Sequence, residues 1–200
     1  RIVALLKDLK KEGVPLQYVD MGGGIGITYD GEQPPSFEEY AEAIQPLITE
    51  VGCTLVVEPG RVLVGNAGIL VTKVLHVKKT AGKTFVVVDA AMNDLLRPSF
   101  YGAYHRIIPV SEPGDGAAAI VADVVGGICE SGDYFARGRK IPAVEAGELL
   151  AILSAGAYSS SMSSNYNSRP LIAEVLVDAA EMSIIRRRQT YEEMIALETW

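Results

Sequence analysis

Cys129-Glu130-Ser131-Gly132-Asp133 sets a thiol beside two carboxylates, just after the glycine pair Gly126-Gly127. Such a loop suits Cys129 to proton donation, because neighbouring negative charge favours the neutral S–H, an acid rather than a nucleophile. A small buried cysteine is the plain alternative. Glu58-Pro59-Gly60-Arg61 offers a carboxylate for a cationic ring nitrogen and a guanidinium for an anion; it also reads as a local ion pair capping a helix. In Met21-Gly22-Gly23-Gly24-Ile25-Gly26 the glycines let backbone N–H groups turn toward a phosphate with no Cβ in the way, or simply make a tight turn. The spacing is not the dinucleotide fingerprint Gly-x-Gly-x-x-Gly, because a long loop follows instead of a helix. Arg97 and Tyr101, within the aromatic and cationic run Arg97–His105, are suited to gripping one carboxylate. Tyr158, ending Ala155-Gly156-Ala157-Tyr158, is suited to lying against a flat ligand. His76 and His105 lack metal-ligand spacing and no second cysteine neighbours Cys129, so no metal site is expected; both histidines are expected at surface or strand positions.

Each cluster admits a packing reading, yet all five fall at strand ends, and the elements around them have clear signatures. The opening Arg1–Lys11 stretch is an amphipathic helix with lysines at its C-terminal end, and the absence of an initiator Met or signal peptide is expected of a start inside a fold. Leu16–Asp20 and Thr54–Glu58 read as short buried strands. Between them Ser36 and Glu39 form a capping box. The helix it opens carries Phe37, Tyr40, Ala41, Ile44, Leu47, Ile48 and Val51 on one stripe, closes at Gly52, and should kink at Pro46. Strands separated by a helix and ending in Gly-rich turns are βα units of a parallel sheet or barrel.

From about Gly68 the texture becomes all-β. Ile69–Lys79 and Thr84–Asp89 predict a hairpin, followed by strands at Ile107–Val110, Ala119–Val125, Glu148–Leu153, Leu171–Val177 and Ser183–Arg187. Thr190 and Glu193 cap a final short helix ending near Trp200. The expected division is 1–67, the last βα units of a TIM-type barrel, and 68–200, a β-sandwich or barrel-like domain. Arg186-Arg187-Arg188 reads as a solvated strand end.

Composition sets the outer bounds. The 200 residues are 48% hydrophobic and 22% charged, which supports a sizeable core and excludes intrinsic disorder. A net charge of −7 argues against nucleic acid as a partner, and no apolar run is long enough to span a membrane. Two cysteines build no disulfide framework, so a reducing, cytoplasmic setting is expected.

Taken in order, Asp20-Met-Gly-Gly-Gly-Ile-Gly26, Glu58-Pro-Gly-Arg61, Asp89–His105, Cys129-Glu-Ser-Gly-Asp133, Ala155-Gly-Ala-Tyr158 and Asn165-Tyr-Asn-Ser-Arg-Pro170 resemble the diaminopimelate decarboxylases, fold type III pyridoxal 5'-phosphate enzymes. The resemblance covers nearly the whole chain. It implies that Gly23, Gly24 and Arg61 surround the cofactor phosphate, that Glu58, beside Pro59 and Gly60, faces the pyridine nitrogen, and that Tyr158 contacts the cofactor. Arg61, Arg97, Tyr101, Glu130 and Tyr158 would bind substrate, Arg97 and Tyr101 holding the distal carboxylate of meso-diaminopimelate and Glu130 its distal ammonium. Cys129 would return a proton to the α-carbon. The resemblance further implies a homodimer with shared active sites, in which Cys129 and Glu130 serve the partner subunit's site. The Schiff-base lysine of that family lies upstream of anything matching residue 1, so a missing N-terminal barrel segment is expected and the chain alone should be inactive. Decarboxylases of ornithine, arginine or carboxynorspermidine, or a non-catalytic partner subunit, are the alternative readings.

Overall fold

The computed structural model describes residues 2–112, 114 and 118–199. The predicted helix ends at Arg1 and Trp200 lie outside them. Helix α1 (Ile2–Lys11), strand β1 (Tyr18–Asp20), helix α2 (Phe37–Val51) and strand β2 (Thr54–Val56) form the first unit. β1 and β2 pair in parallel, Val19 opposite Leu55. α2 is started by the reciprocal Ser36–Glu39 box, stopped by Gly52, and runs unbroken through Pro46. Of its predicted stripe only Ile48 and Val51 are buried, packing with Leu6 and Val19. Phe37 and Leu47 stay exposed, because a two-stranded sheet is too narrow to cover the whole helix face.

Helix α3 (Arg61–Val64) and the 3-10 turn Gly65–Ala67 lead into the second unit. Its strands are β3 (Leu70–Lys79), β4 (Thr84–Val88), β5 (Ile107–Pro109), β6 (Ala119–Val125), β7 (Tyr134–Pro142) and β8 (Leu149–Ile152), with helix α4 (Arg97–Tyr101) between β4 and β5. They form one mixed sheet in the order β5-β8-β3-β4-β6-β7. β3 and β4 make the predicted antiparallel hairpin, whereas β4 and β6 run parallel. The end strands β5 and β7 come together, and Arg139 of β7 donates to the His105 carbonyl at 3.0 Å, so the sheet curls into a nearly closed barrel. Its interior holds Val74, Val86, Val88, Val124, Phe135, Leu150 and Ile152, all essentially without solvent contact. Each such side chain contributes about 1.5–3 kcal/mol.

Sequence patterning misses β7. Tyr-Phe-Ala-Arg-Gly-Arg-Lys-Ile-Pro has a glycine at its centre and three cations, so it lacks strand alternation. Its arginines are accommodated by stacking, Arg137 on Tyr134 and Arg139 on Tyr104, each at 3.8 Å. Charge on an end strand also discourages pairing with another sheet. The last two strands, β9 (Glu174–Asp178) and β10 (Glu181–Arg186), form a separate hairpin. β9 begins later than Leu171, because the Leu171 carbonyl accepts from Gln189 N–H and its own N–H donates to the Gln189 side-chain Oε1 instead of joining a ladder. Arg186 and Arg187 are exposed and pair with Glu174 and Glu193. A Thr190–Glu193 capping box opens the final helix α5 (Tyr191–Met194).

The two units meet at a backbone-to-backbone contact. Ala155 N–H donates to the Gly68 carbonyl at 2.8 Å and Gly156 N–H to the Gly65 carbonyl at 3.0 Å. A Cβ on Gly156 would run into the Val64 carbonyl oxygen, and one on Gly68 into the Gly156 backbone. Gly156→Ala should therefore lower unfolding stability by about 1–3 kcal/mol, the scale of overpacking, while Gly82→Ala, facing open space, should be close to neutral. Chemical denaturation of the two variants measures the difference.

Candidate active site

The contact just described sets α3 beside the turn after β8, and the side chains it gathers are aromatic and cationic. Tyr29, in the loop after β1, lies at the centre. The Arg97 guanidinium sits 5.3 Å and that of Arg61 5.9 Å from its ring centroid, and Arg97 is also 5.7 Å from the Tyr158 ring. Arg97 donates from Nη1 to the Tyr29 hydroxyl at 2.7 Å and to His105 Nε2 at 3.1 Å. Tyr158 occupies the left-handed region at φ 63°, unusual for a bulky residue. The structure thus brings Arg61, Arg97 and Tyr158, all singled out in the sequence, together around Tyr29, which carries no pattern in its loop and was missed.

His105 is a correction. It is not a surface or strand residue but lies wholly buried just before β5. Its Nδ1 faces the Leu153 carbonyl at 2.9 Å. Burial holds its pKa below the ordinary imidazole value, with the Arg97 and Arg139 charges acting in the same direction.

The glycine turn lies against the segment after β2. Glu58 N–H donates to the Gly22 carbonyl at 2.8 Å, and a Cβ on Gly23 would stand 2.5 Å from the Glu58 carbonyl oxygen. Gly22 and Gly24 have φ of 69° and 93°. Asp20 caps the turn by accepting from Gly22 N–H at 2.8 Å. Pro59 and Gly60 complete the bend that starts α3, so Arg61 stands at the first position of that helix. Among the described residues neither Glu58 nor Arg61 joins an ion pair. A backbone bend free of Cβ atoms beside an uncompensated guanidinium suits a phosphate, and a free carboxylate suits a protonated ring nitrogen.

Cys129 and Glu130 form a second group. Both are exposed. Their loop is fastened by Asp133, whose buried carboxylate accepts from Ile128 N–H at 2.6 Å and Met92 N–H at 2.7 Å. Burial raises the Asp133 pKa, and those two bonds oppose the rise. Glu130 accepts from Gly132 N–H at 3.0 Å and from the Tyr166 hydroxyl at 3.3 Å. Helix α4 stands between the groups: Arg97 reaches Tyr29, while a Cβ on Gly132 would approach Ser99 Oγ at 2.9 Å. Tyr101, one turn beyond Arg97, is exposed and packs edge-on against Phe100. Among the described residues no hydrogen bond or ion pair joins Cys129 or Glu130 to Arg61, Arg97 or Tyr158.

Residues 17–156 match the family model of the pyridoxal-dependent decarboxylase C-terminal sheet domain, and the chain belongs to that family. Within it, relatives similar over nearly the whole chain are diaminopimelate decarboxylases. One from Neisseria meningitidis is 52% identical over 198 residues, covering 99% of this chain and 48% of its own length. The solved diaminopimelate decarboxylase of Helicobacter pylori, complexed with L-lysine, is 39% identical with a TM-score of 0.88, over 98% of this chain and 48% of that one. A solved Aquifex aeolicus protein is 45% identical with a TM-score of 0.92, over 99% and 49%. The chain spans about half the length of the curated relatives it matches. No helix among the described residues is long and apolar enough to cross a membrane.

The buried imidazole has a measurable consequence. With its folded pKa depressed, the unfolded chain takes up the His105 proton first, so stability is full above the unfolded value near 6.5 and is lost as pH falls below it. Urea midpoints should decline between roughly pH 7 and 5.5, in the range where free histidine titrates, and His105→Gln should flatten that decline.

Proposed function

We propose that this chain forms the substrate-gripping and protonating part of a cytoplasmic decarboxylase that converts meso-2,6-diaminopimelate to L-lysine and carbon dioxide, a step of lysine biosynthesis. The observation that carries this reading is Arg97: a guanidinium held by two hydrogen bonds to uncharged groups, with no carboxylate partner among the described residues. Diaminopimelate has a carboxylate at each end, and only one leaves. Gripping the other by charge selects against ornithine or arginine, because an analogue without it leaves the arginine unpaired. The L-lysine in the Helicobacter pylori relative is the product such a reaction would make.

Bound pyridoxal 5'-phosphate supplies the electron sink for the pair left when carbon dioxide departs. The backbone turn at Gly23-Gly24, the bend at Pro59-Gly60 and the Arg61 guanidinium would hold its phosphate. Glu58 would keep a proton on its ring nitrogen, strengthening the sink, and Tyr158 would contact it. Arg97 and Tyr101, on one face of α4, hold the distal carboxylate, and Arg61 also reaches substrate. Glu130 takes the distal ammonium. Cys129 delivers its S–H proton to the α-carbon, replacing the lost carboxyl group, and the thiolate regains a proton from solvent.

The cofactor-anchoring lysine belongs, on this reading, to the barrel segment that this chain does not span. Lys7 pairs with Glu50, Lys83 pairs with Asp123 of β6, and Lys10 is tied to the Val51 carbonyl. The division at 67/68 follows the change from the β1–β2 core to the barrel core. The resemblance to the diaminopimelate decarboxylases assigns Cys129 and Glu130 to the site of the other subunit in a homodimer, and among the described residues neither bonds to Arg61, Arg97 or Tyr158.

Two substitutions in the full-length enzyme test this reading. Arg97→Gln should lower kcat/KM for diaminopimelate by roughly two orders of magnitude, the scale of a lost buried charge pair, and erase its preference over ornithine; a retained preference refutes the clamp. Cys129→Ala should reduce kcat by roughly two to four orders of magnitude, the range of a lost general acid, with KM little changed. Steady-state kinetics on both substrates supplies the numbers.

A further inference from the structure

The chemistry of the atoms around Arg97 says more than that it is free. Nη1 carries two hydrogens, and its two acceptors, the Tyr29 hydroxyl and His105 Nε2, account for both. The Nε and Nη2 hydrogens, which make the two-point contact with a carboxylate, have no partner among the described residues. No partly or fully buried side-chain nitrogen there is both sealed from solvent and unpaired, so this edge is open.

The imidazole's protonation state follows from its two neighbours. The Leu153 carbonyl only accepts, so Nδ1 carries the hydrogen. Arg97 Nη1 only donates, so Nε2 presents its lone pair. The surroundings agree on a neutral ring: Arg97 from α4, Arg139 from β7 bonded to the His105 carbonyl, and the Tyr29 ring set nearly perpendicular with its centroid 5.4 Å away. Asp30, beside Tyr29 in the chain, accepts from the Tyr104 hydroxyl at 2.8 Å. A carboxylate in place of His105 would neutralise Arg97; an apolar side chain would leave Nη1 held by the Tyr29 hydroxyl alone. Neutral imidazole does neither.

We propose that His105 is a positioning residue for substrate selection: as a buried, uncharged acceptor it fixes the Arg97 guanidinium by Nη1, reserves the Nε–Nη2 edge for the substrate's distal carboxylate, and leaves the positive charge uncompensated. This deepens the clamp reading and rests on it. Protonating His105 would turn Nε2 into a donor facing a donor and place two cations together, releasing the arginine.

The test compares His105→Asn with His105→Gln in the full-length enzyme. The asparagine amide reproduces the Nδ1 donor to Leu153 but ends short of Arg97, whereas the glutamine carbonyl reaches the Nε2 position. His105→Asn should raise KM for meso-diaminopimelate roughly tenfold or more, the scale of one charged hydrogen bond, with kcat within a few-fold. His105→Gln should restore KM and abolish the rise of KM expected of the unaltered enzyme as pH falls below the ordinary imidazole range. An unchanged KM in His105→Asn, or equal loss of kcat and KM in both variants, overturns the proposal. Should His105→Asn fail to fold, identical acid limbs in His105→Gln and the unaltered enzyme overturn it, and their divergence supports it. If Arg97→Gln erases substrate preference while the His105 variants behave as wild type, the clamp stands and only this inference falls.

Discussion

A joint of three glycines, two of them closed to any side chain by main-chain atoms, positions the arginines and tyrosines of the candidate site. Gly65, Gly68 and Gly156 bring two backbone segments into direct contact, and a methyl group at Gly68 or Gly156 would collide with main-chain atoms that cannot move aside. That contact is far shorter than any side-chain packing distance, so it fixes α3 against the turn after β8 with little freedom. Arg61 leaves the start of α3 and Tyr158 lies two residues beyond Gly156. Asn66 reinforces the joint by donating to the Thr28 carbonyl at 2.8 Å and Ser154 Oγ at 2.7 Å, which holds the Tyr29 loop in place. Groups from widely separated stretches of chain therefore meet because backbone meets backbone.

Around that joint, acids and bases are treated differently. The buried carboxylates are consumed by structure: Asp133 binds two backbone N–H groups, and Asp94 accepts from Ala91 N–H and lies 3.7 Å from Arg169. Arg169 in turn ties Asn93 and the Asp89 carbonyl together. Burial raises the pKa of both acids, and these contacts oppose it. The two arginines near Tyr29 instead face aromatic rings and neutral acceptors. Half-buried cations in uncharged surroundings pay desolvation without a counter-ion, and only an incoming anion offsets it.

The elements legible in the sequence were those fixed by local chemistry. Both capping boxes, the Gly52 stop, the parallel β1–β2 pair and the β3–β4 hairpin follow from short-range pattern. β7 escaped because its cations are solved by stacking on Tyr134 and Tyr104, the second of which is remote in sequence. The same limit applies to the site. Arg61, Arg97 and Tyr158 stand out in the sequence by residue type in the segments between strands. Tyr29 and His105 do not, since their roles come from a neighbour 68 positions away in one case and a carbonyl 48 positions away in the other.

Helix α4 explains why the polar clusters divide into two groups. With five residues it has little more than one turn, so Arg97 and Ser99 project from different sides. The Arg97 side meets Tyr29 and His105; the Ser99 side meets the Cys129 loop, pinned by Asp133 and flanked by Tyr166. Through Arg97 and Ser99 one short helix therefore touches both the Tyr29–His105 cluster and the Cys129 loop, so a shift of α4 would disturb the two groups together.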